Sequence, residues 1–429
     1  MNDRRNDPGE EMYALMRRLW PICRSITGDG VRQTLAILAE RLPELVVNEL
    51  PTGTKCFDWS IPKEWSIRDA YVLSPDGRKV IDFSASNLHV VNYSAPVDKR
   101  VTLDELQAHL HSLPEQPDAI PYVTSYYKET WGFCLQHRVR QQLRPGLYQV
   151  RIDSELKNGS LTYGEIRLPG ASDREILIST YICHPSMANN ELSGPCVTAQ
   201  LATWLRERDR RYSYRIVFVP ETIGAICYVS THLHELRAKT IAGYVVTCVG
   251  DERAWSFMPS RHGNTLSDRA ARHVLKHLAP DYREYSFLER GSDERQYCSP
   301  GVDLPVSSIM RSRYATYPEY HTSLDNLEFV SARGLAGALA AYQRTLEVIE
   351  ADCTPMYRVL CEPKMSDRGL RPTLGKRGSA DSGRAMMNLL AYADGSRTLL
   401  EIAEVIGTPA WELRQLADML TDKDLLRLQ

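Results

Sequence analysis

Two histidines and two glutamates stand where they could do chemistry. His184 ends an apolar run of residues, and Glu191 follows it at the start of the next predicted helix. Glu221 ends a second apolar run, and His321 lies in a polar loop. Two histidines and a carboxylate form a common catalytic zinc site with a fourth position left for water. A free glutamate beside that water acts as a general base, so this pattern favours a zinc hydrolase.

Each of these residues also has a structural interpretation. A histidine behind a strand can be a hydrogen-bonded core residue, and a glutamate at a helix N-terminus stabilises the helix dipole. The metal interpretation is preferred because three separate segments supply groups of the same chemistry, namely residues 180–195, 217–224 and 317–326.

The elements around these segments predict an α/β domain. Apolar runs at 175–182, 214–219 and 241–249 alternate with helical patterns at 193–206, after Gly224 and at 268–278. Strands and helices that alternate at this spacing form a sheet with largely parallel strands, and reactive groups collect at the carboxyl ends of those strands. The sequence therefore predicts a largely parallel mixed sheet that is flanked by helices.

Composition divides the chain into three predicted domains. Residues 49–159 combine short β-like stretches with turns that contain Pro and Gly. This predicts a small β-rich domain inserted into the α/β domain, which comprises residues 1–48 and 160–352. Short helices predicted near the end of the chain indicate a winged-helix or helix-turn-helix domain over residues 355–429.

Charge and cysteine content narrow the class of protein. The 429 residues include 52 Lys and Arg against 54 Asp and Glu, a net charge of −2. Nucleic acid is therefore not expected as a partner, and the terminal domain is expected to make protein contacts such as those of a homo-oligomer. No apolar run approaches the roughly 20 residues of a membrane span. Ten cysteines without a CxxC pair, behind a polar N-terminus that predicts no signal peptide, indicate a reduced, cytoplasmic protein.

The sequence holds 22 Tyr but only 7 Phe. Tyr is favoured over Phe where a ring needs a polar end. Several tyrosines flank the polar segments, which predicts that they line one polar cleft: Tyr126, Tyr127, Tyr181, Tyr297, Tyr314, Tyr317 and Tyr320.

Longer strings in the sequence resemble a known family. They cover residues 20–28, 121–133 and 291–301, together with Asn-Glu-Leu-Ser-Gly after His184, Pro-Glu-Thr-Ile-Gly around Glu221 and Tyr-His-Thr-Ser-Leu-Asp-Asn around His321. In these strings the chain resembles the aminopeptidase-like family of polysaccharide-biosynthesis proteins. That family belongs to the zinc-dependent exopeptidase superfamily and carries a C-terminal winged helix, and the resemblance covers most of the chain.

The resemblance implies a zinc-exopeptidase-like fold and a metallo-exopeptidase or amidohydrolase. Such an enzyme hydrolyses an amide or peptide bond with metal-activated water. His184 matches the first metal-binding histidine of the superfamily, Glu221 its general base and His321 its last metal-binding histidine. The alternative function is a non-catalytic ligand-binding or scaffold protein on the same fold.

Three carboxylates of the two-zinc aminopeptidases are absent from this sequence. Asn190, Thr222 and Thr247 stand in their places. Because two divalent ions would lack neutralising charge there, the resemblance implies one zinc ion with His184, Glu191 and His321 as its ligands. Asn190 is the alternative third ligand, through its amide oxygen.

The expected substrate is a small molecule or a short peptide. Asp293 would orient a ligand or bind a substrate amine, and Arg295 would bind a substrate carboxylate, unless the two simply pair on the surface. Arg311 would clamp a carboxylate or phosphate, with a solvated loop arginine as the alternative. Tyr126 and Trp131 would roof the site or seal a domain junction. The predicted substrate-binding residues are thus Asn190, Asp293, Arg295, Arg311, Tyr320, Tyr126 and Trp131.

Overall fold

A computed structural model describes residues 7–370 and 379–429 of the chain. In chain order, the α-helices of this part are α1 Pro8–Leu19, α2 Asp29–Ala39, α3 Leu103–Gln107, α4 His137–Gln141, α5 Ser193–Arg206, α6 Ile223–Lys239, α7 Leu266–Leu278, α8 Glu294–Tyr297, α9 Ala332–Ala351, α10 Ser379–Tyr392, α11 Leu399–Ile406 and α12 Ala410–Asp422. Residues 1–6 of the predicted α/β domain and 371–378 of the predicted winged-helix domain lie outside the described residues.

The strands of the same part run from the β-rich region to the end of the chain. They are β1 Val46–Pro51, β2 Lys55–Cys56, β3 Trp59–Ser60, β4 Glu64–Leu73, β5 Lys79–Asp82, β6 Val97–Thr102, β7 Leu110–His111, β8 Phe133–Cys134, β9 Leu147–Lys157, β10 Ser160–Leu168, β11 Ser172–Tyr181, β12 Tyr212–Val219, β13 Thr240–Val245, β14 Ser256–Met258, β15 Arg283–Glu284, β16 Val306–Met310, β17 Pro355–Tyr357 and β18 Leu426–Leu428.

The largest sheet has the strand order β1-β10-β12-β11-β13-β16-β14-β15. Its central strands β12, β11, β13 and β16 are parallel, whereas β10 and β14 pair antiparallel with them and β1 pairs antiparallel with β10. Residues 175–181 of β11 are all buried, as expected for a parallel strand covered on both faces. The predicted α/β class with a largely parallel mixed sheet is confirmed.

The parallel register brings the first two chemical segments to one edge of this sheet. Tyr181 at the end of β11 pairs with Val219 at the end of β12. His184 follows Tyr181 by three residues, and Glu221 follows Val219 by two. Both side chains therefore emerge at the carboxyl edge of the sheet, where ligands bind in open α/β sheets.

A second sheet lies within the β-rich region. Its strands β5-β4-β9-β6 are antiparallel neighbours. Alternate residues face its own apolar core, including Ala70 and Val72 of β4 and Val150 and Ile152 of β9. The region is β-rich as the sequence predicts, and the exact boundaries at residues 49 and 159 remain a prediction.

An ion pair anchors this β-rich region to helix α2. Arg32 of α2 donates two hydrogen bonds to Glu64 of β4, at 2.8 and 2.6 Å. The Glu64 carboxylate also accepts from the backbone amide of Ser160 at 2.9 Å. A bidentate guanidinium–carboxylate pair of this kind fixes orientation as well as distance.

The chain forms two compact units, of which the first holds residues up to 267 and 283–340 and the second holds 268–282 and 341–429. In the second unit, helices α10, α11 and α12 lie between β17 and β18 in the chain, and these two strands pair antiparallel. Thr398 and Glu401 form a capping box at the start of α11, and Gly407 ends that helix with a φ of 69°. His273 accepts a hydrogen bond at Nε2 from the first amide of α12, that of Ala410, at 2.8 Å.

Candidate metal site

His184 is held with one ring nitrogen bonded and the other turned toward Glu221. Its Nδ1 lies 2.9 Å from Oε2 of Glu191, and its Nε2 lies 3.7 Å from Oε2 of Glu221. When Glu191 is ionised its carboxylate can only accept, so Nδ1 then carries the hydrogen and Nε2 keeps a lone pair. That tautomer is the one that binds a metal through Nε2.

Glu191 reaches His184 because a short π-helix, Ala188–Leu192, precedes α5. Its side chain is fully buried and its Oε1 lies 3.4 Å from Nε of Arg24, which is also fully buried. Arg24 donates to the backbone carbonyl of His184 at 2.8 Å as well. Burial raises the pKa of Glu191 to about 8, and the Arg24 guanidinium opposes that shift. Arg24 is not among the residues predicted from the sequence, although it lies within the string 20–28.

His321 approaches His184 from the polar loop that follows β16. The two ring centres are 5.6 Å apart, and the buried Nε2 of His321 has no hydrogen-bond partner among the described residues. Tyr320 stacks on the His321 ring at 3.9 Å. Burial lowers the pKa of both histidines to about 3, so both rings are neutral at physiological pH. Neutral imidazole is the form that coordinates a metal ion.

Tyr122 links the two histidines, and the sequence analysis did not select it. Its ring centre is 5.1 Å from that of His184 and 5.1 Å from that of His321. Its backbone amide donates to the carbonyl of His321 at 2.8 Å, and its hydroxyl is 2.8 Å from that of Tyr126. Two features of the sequence could have indicated Tyr122 as a site residue. It lies in the string 121–133, and the sequence holds more tyrosine than phenylalanine.

Glu221 precedes a strained turn. Thr222 has a φ of 64°, which is rarely adopted by a β-branched residue. Its amide donates to Oδ1 of Asp293 at 2.8 Å, and its hydroxyl accepts from Arg295 at 2.7 Å. Asp293 and Arg295 therefore hold the backbone that presents Glu221. Burial raises the pKa of Glu221 to about 7, with Arg295 opposing the shift.

Neutral side chains stand at two of the positions where the family resemblance leads us to expect the carboxylates of a two-zinc site. The amide nitrogen of Asn190 donates to the Tyr181 hydroxyl at 2.8 Å, and that hydroxyl lies 2.5 Å from Oγ1 of Thr247. The amide oxygen of Asn190 is buried and has no hydrogen-bond partner in the described part of the chain. An unpartnered buried oxygen normally requires a ligand, water or ion, and this one suits a cation.

Two other predicted substrate-binding residues have structural partners instead. Arg311 donates from Nε to the carbonyl of Asp251 at 2.7 Å and stacks over the Trp255 ring. Trp131 stacks on His109 at 3.6 Å within the β-rich region. These contacts do not support a clamp at Arg311 or a roof at Trp131, because each group is already engaged by neighbouring residues.

The predicted tyrosine cleft is only partly present. Tyr126, Tyr181 and Tyr320 belong to the surroundings of the histidines. The hydroxyls of three other tyrosines are hydrogen-bonded to buried side chains: Tyr297 to Ser179, Tyr314 to Glu294 and Tyr317 to Asp325. Tyr127 is 52 % exposed, so the prediction was wrong for this residue, whose backbone φ of 63° accompanies an outward position beside Trp59.

A second donor set lies on the other side of the His184 ring. Within residues 7–370 and 379–429, the ligand atoms of Cys183, His184 and Glu191 lie within 4.8 Å of one another. Arg24 stands beside this set, and a buried guanidinium repels a metal cation strongly where screening by water is weak. The side that faces Glu221 and His321 is therefore the better cation site.

Comparison with known proteins identifies the family and the fold of the chain. A model of the family described as domain of unknown function DUF4910 matches residues 13–352, and a model of a winged helix-turn-helix matches residues 354–428. A protein of Clostridium acetobutylicum is 44% identical over 427 residues, which cover 99% of this chain and 97% of that protein. It is provisionally named a polysaccharide biosynthesis protein with an aminopeptidase-like domain.

The chain belongs to this family of aminopeptidase-like proteins. A crystal structure of a family member from C. acetobutylicum, described as a provisional peptidase, superposes with a TM-score of 0.92 at 43% identity. The match covers 99% of this chain and 98% of that one. The family resemblance and the C-terminal winged helix expected from the sequence are confirmed.

The family shares its fold with zinc aminopeptidases. The zinc aminopeptidase of Bacillus subtilis superposes with a TM-score of 0.58 at 13% identity, over 80% of this chain and 94% of that chain. An aminopeptidase of Aneurinibacillus gives a TM-score of 0.52 at 13% identity, over 81% and 94%. At this identity the likeness shows the fold alone.

Two predictions from the sequence, the absence of a nucleic-acid partner and the cytoplasmic location, are not established by these comparisons. The winged helix-turn-helix match leaves the exclusion of nucleic acid unsupported, because this fold places a helix in the DNA major groove in other proteins. No helix of the described ranges is long and apolar enough to cross a membrane. The cytoplasmic location remains a prediction.

Proposed function

We propose that the protein is a metal-dependent hydrolase of an amide or peptide bond. The observation that carries the proposal is the pair of neutral histidines, His184 and His321, with ring centres 5.6 Å apart beside Glu221. With Zn–N bonds of about 2.0–2.1 Å, two imidazoles that share one ion have ring centres roughly 5 to 6 Å apart. A small molecule or a short peptide is the substrate class that this site suits.

One zinc ion is the cofactor that the donor set fits. His184 and His321 would hold it through their Nε2 atoms, and Asn190 would supply the third ligand through its unpartnered amide oxygen. Glu191, the third ligand expected from the sequence, is instead proposed as a positioning residue, because its carboxylate bonds Nδ1 of His184 and faces Arg24. Bound zinc supplies Lewis acidity toward a carbonyl oxygen and lowers the pKa of bound water.

The side chains around this centre have distinct roles in the proposed reaction. Glu221 accepts a proton from water and passes it to the leaving amine, which requires a carboxylate within hydrogen-bond reach of both. Asp293 and Arg295 hold the strained Thr222 backbone and thereby fix where Glu221 points. Tyr126 and Tyr320 form part of the aromatic surroundings that would contact the substrate.

The test combines metal analysis with hydrolysis of a panel of aminoacyl and N-acyl amides. Purified protein should contain about one zinc per chain, and removal of zinc by a chelator should abolish hydrolysis. Glu221→Gln should retain zinc and lose about 10² to 10⁴-fold in kcat, since it keeps the shape of the base but not its proton affinity. Glu328→Gln, a conservative change at an exposed glutamate, is the matched control.

The non-catalytic alternative has a specific observation in its favour. Tyr181 is hydrogen-bonded to Asn190 and Thr247, which are neutral residues at positions where the family resemblance leads us to expect metal-binding carboxylates. Absence of stoichiometric zinc, together with no change in metal content or activity on His184→Ala, would establish this alternative and exclude the hydrolase.

A further inference from the structure

A cavity of about 510 Å³ lies beside the two histidine loops and is separate from the groups described above. This junction cavity is lined by Trp20, Phe83, Ser86, Asn87, Ser186 and Ser323, among others. Its volume is within the range of about 300 to 1,000 Å³ that is typical of small-molecule sites. The cavity is therefore large enough for a ligand rather than for isolated waters.

The lining of the junction cavity is uncharged. Among the described residues that line it, none is Asp, Glu, Lys, Arg or His. A charged ligand would lose part of its hydration there without gaining an ionic partner. A ligand that fits this cavity is therefore neutral.

The polar groups of the cavity are hydroxyls and one amide held in a fixed arrangement. Asn87 donates to the hydroxyl of Ser186 at 2.8 Å, and the Ser186 amide donates back to Asn87 at 3.2 Å. The hydroxyl of Ser323 accepts from the amide of Ile120 at 2.9 Å, which leaves its own hydrogen available. Ser186 and Asn87 are both at least nine-tenths buried, so they form a built polar wall.

The remaining wall is apolar and partly aromatic. Trp20 and Phe83 line it together with the buried side chains of Leu88 and Ile120. A pyranose ring combines these features, since it is neutral, carries hydroxyls around its rim and presents an apolar C–H face that packs on aromatic rings. We infer that the junction cavity binds a neutral pyranose sugar.

The position of the cavity gives such a sugar a structural connection to the candidate metal site. Ser186 and Ser323 each lie two residues after a histidine, His184 and His321 respectively. The Ser186 hydroxyl donates its own hydrogen to the Trp20 carbonyl, so it can only accept from a ligand, whereas the Ser323 hydroxyl can donate. A ligand that bonds both serines in this way contacts both histidine loops. Binding of the sugar does not depend on metal or hydrolysis, so this inference and the proposed function can fail separately.

The test is calorimetry and ligand-observed NMR on the full chain with N-acetylglucosamine, glucose and galactose. Glucosamine and glucuronic acid are the cationic and anionic comparison probes. At least one neutral sugar should bind saturably, with an affinity at least about tenfold higher than that of both charged probes. Equal binding of the charged sugars, or no binding of any neutral sugar at millimolar concentration, overturns the inference.

Two matched variants locate the binding. Ala85→Trp fills the cavity from an exposed position and should weaken the neutral sugar by at least about tenfold. Ala171→Trp makes the same change at an exposed loop position outside the cavity and should bind as the parent does. Melting curves of both variants establish that each is folded. If Ala85→Trp binds the sugar with the parental affinity, the sugar occupies some other site and the inference is wrong.

Discussion

Nδ1 of His184 lies 2.9 Å from Oε2 of Glu191, and both side chains are buried. This bond connects the candidate metal site with the interior, because Glu191 in turn faces the fully buried guanidinium of Arg24. Carboxylate–histidine pairs of this kind fix the tautomer and the orientation of a metal-binding imidazole. The chain Arg24–Glu191–His184 therefore supports the first histidine from behind.

The first prediction separates an orienting carboxylate from a ligand. Glu191→Gln should lower zinc affinity by about 10 to 100-fold, because the outer partner of His184 is weakened while the proposed ligands stay. Asn190→Ala, which removes a proposed ligand, should lower it further. Competition against a chromophoric chelator measures both. A larger loss of zinc affinity in Glu191→Gln than in Asn190→Ala would indicate that Glu191 is the third ligand.

The second prediction concerns the buried charges. At a pH above the Glu191 pKa of about 8, Arg24→Gln leaves the buried carboxylate without its guanidinium partner, so the free energy of unfolding should fall by about 3 to 5 kcal/mol. The double variant Arg24→Gln/Glu191→Gln should recover part of that loss, because neither partner then carries a charge. Urea denaturation of the parent, the two single variants and the double variant gives the interaction free energy between Arg24 and Glu191.

Arg18→Gln is the control for this cycle. Arg18 makes a similar two-bond pair with Glu40, but the two side chains are 50 % and 54 % exposed. Exposed pairs contribute little to stability, so this variant should unfold like the parent. If the free energy of unfolding fell by similar amounts in Arg18→Gln and Arg24→Gln, burial of the charge would not be the cause of the loss.

The third prediction is a pH dependence of stability at the Arg32–Glu64 pair. The Arg32 guanidinium lowers the pKa of Glu64 below its usual value of about 4.5. A carboxyl whose pKa is lower in the folded state stabilises the fold above its unfolded pKa, and this stability is lost as the pH falls through the folded pKa. Unfolding measured between about pH 6 and pH 3 should show that loss.

Glu64→Gln should remove this part of the acid dependence. At neutral pH the variant should be less stable by about 1 to 3 kcal/mol, because Arg32 and the Ser160 amide lose a charged acceptor. Glu115→Gln changes an exposed glutamate of the same β-rich region and serves as control. Parallel acid curves for Glu64→Gln and the parent would mean that other carboxyls cause the loss.

The fourth prediction concerns the second unit, where His273 accepts from the amide of Ala410. Nδ1 of His273 bonds Glu404, and Lys276 and His277 complete its charged surroundings. Burial lowers the pKa of His273 below its usual 6.5. Because protonation places a second hydrogen against the Ala410 amide, helix α12 should lose stability as the pH falls below about 6.5 and through the lower folded pKa.

Hydrogen-exchange protection factors of the α12 amides measure this effect. His273→Gln should make the protection nearly independent of pH between about pH 7 and pH 5. Glu412→Gln, at an exposed position of α12, should keep the parental pH dependence. An unchanged profile in His273→Gln would show that the histidine does not control the start of this helix.

Local patterns in the sequence predicted the elements of the large sheet well. The predicted helix 193–206 has the same bounds as α5, and the apolar runs at 175–182 and 214–219 correspond to β11 and β12. Side chains at both strand ends converge because the parallel register pairs Tyr181 with Val219. A sequence pattern suffices for such features because strand periodicity and parallel order are properties of neighbouring residues.

The surroundings of the histidines depend on contacts that a local pattern does not contain. Tyr122 joins the site through a backbone bond to His321, and Arg24 reaches His184 from the turn between α1 and α2. The π-helix that turns Glu191 toward Nδ1 of His184 also has no simple sequence signal. These features follow from tertiary packing, which overrides local preference.

The bond between the Tyr122 amide and the His321 carbonyl also sets an order of events during synthesis. The neighbouring contact between Ile120 and Ser323 joins residues 203 positions apart. The ribosome releases Tyr122 long before His321, and domains generally begin to fold as the N-terminal part emerges. Tyr122 therefore cannot form this hydrogen bond until residue 321 has been synthesised. A nascent chain that ends between residues 184 and 321 has the first proposed ligand but lacks the second, so we expect it to bind zinc more weakly than the full chain does.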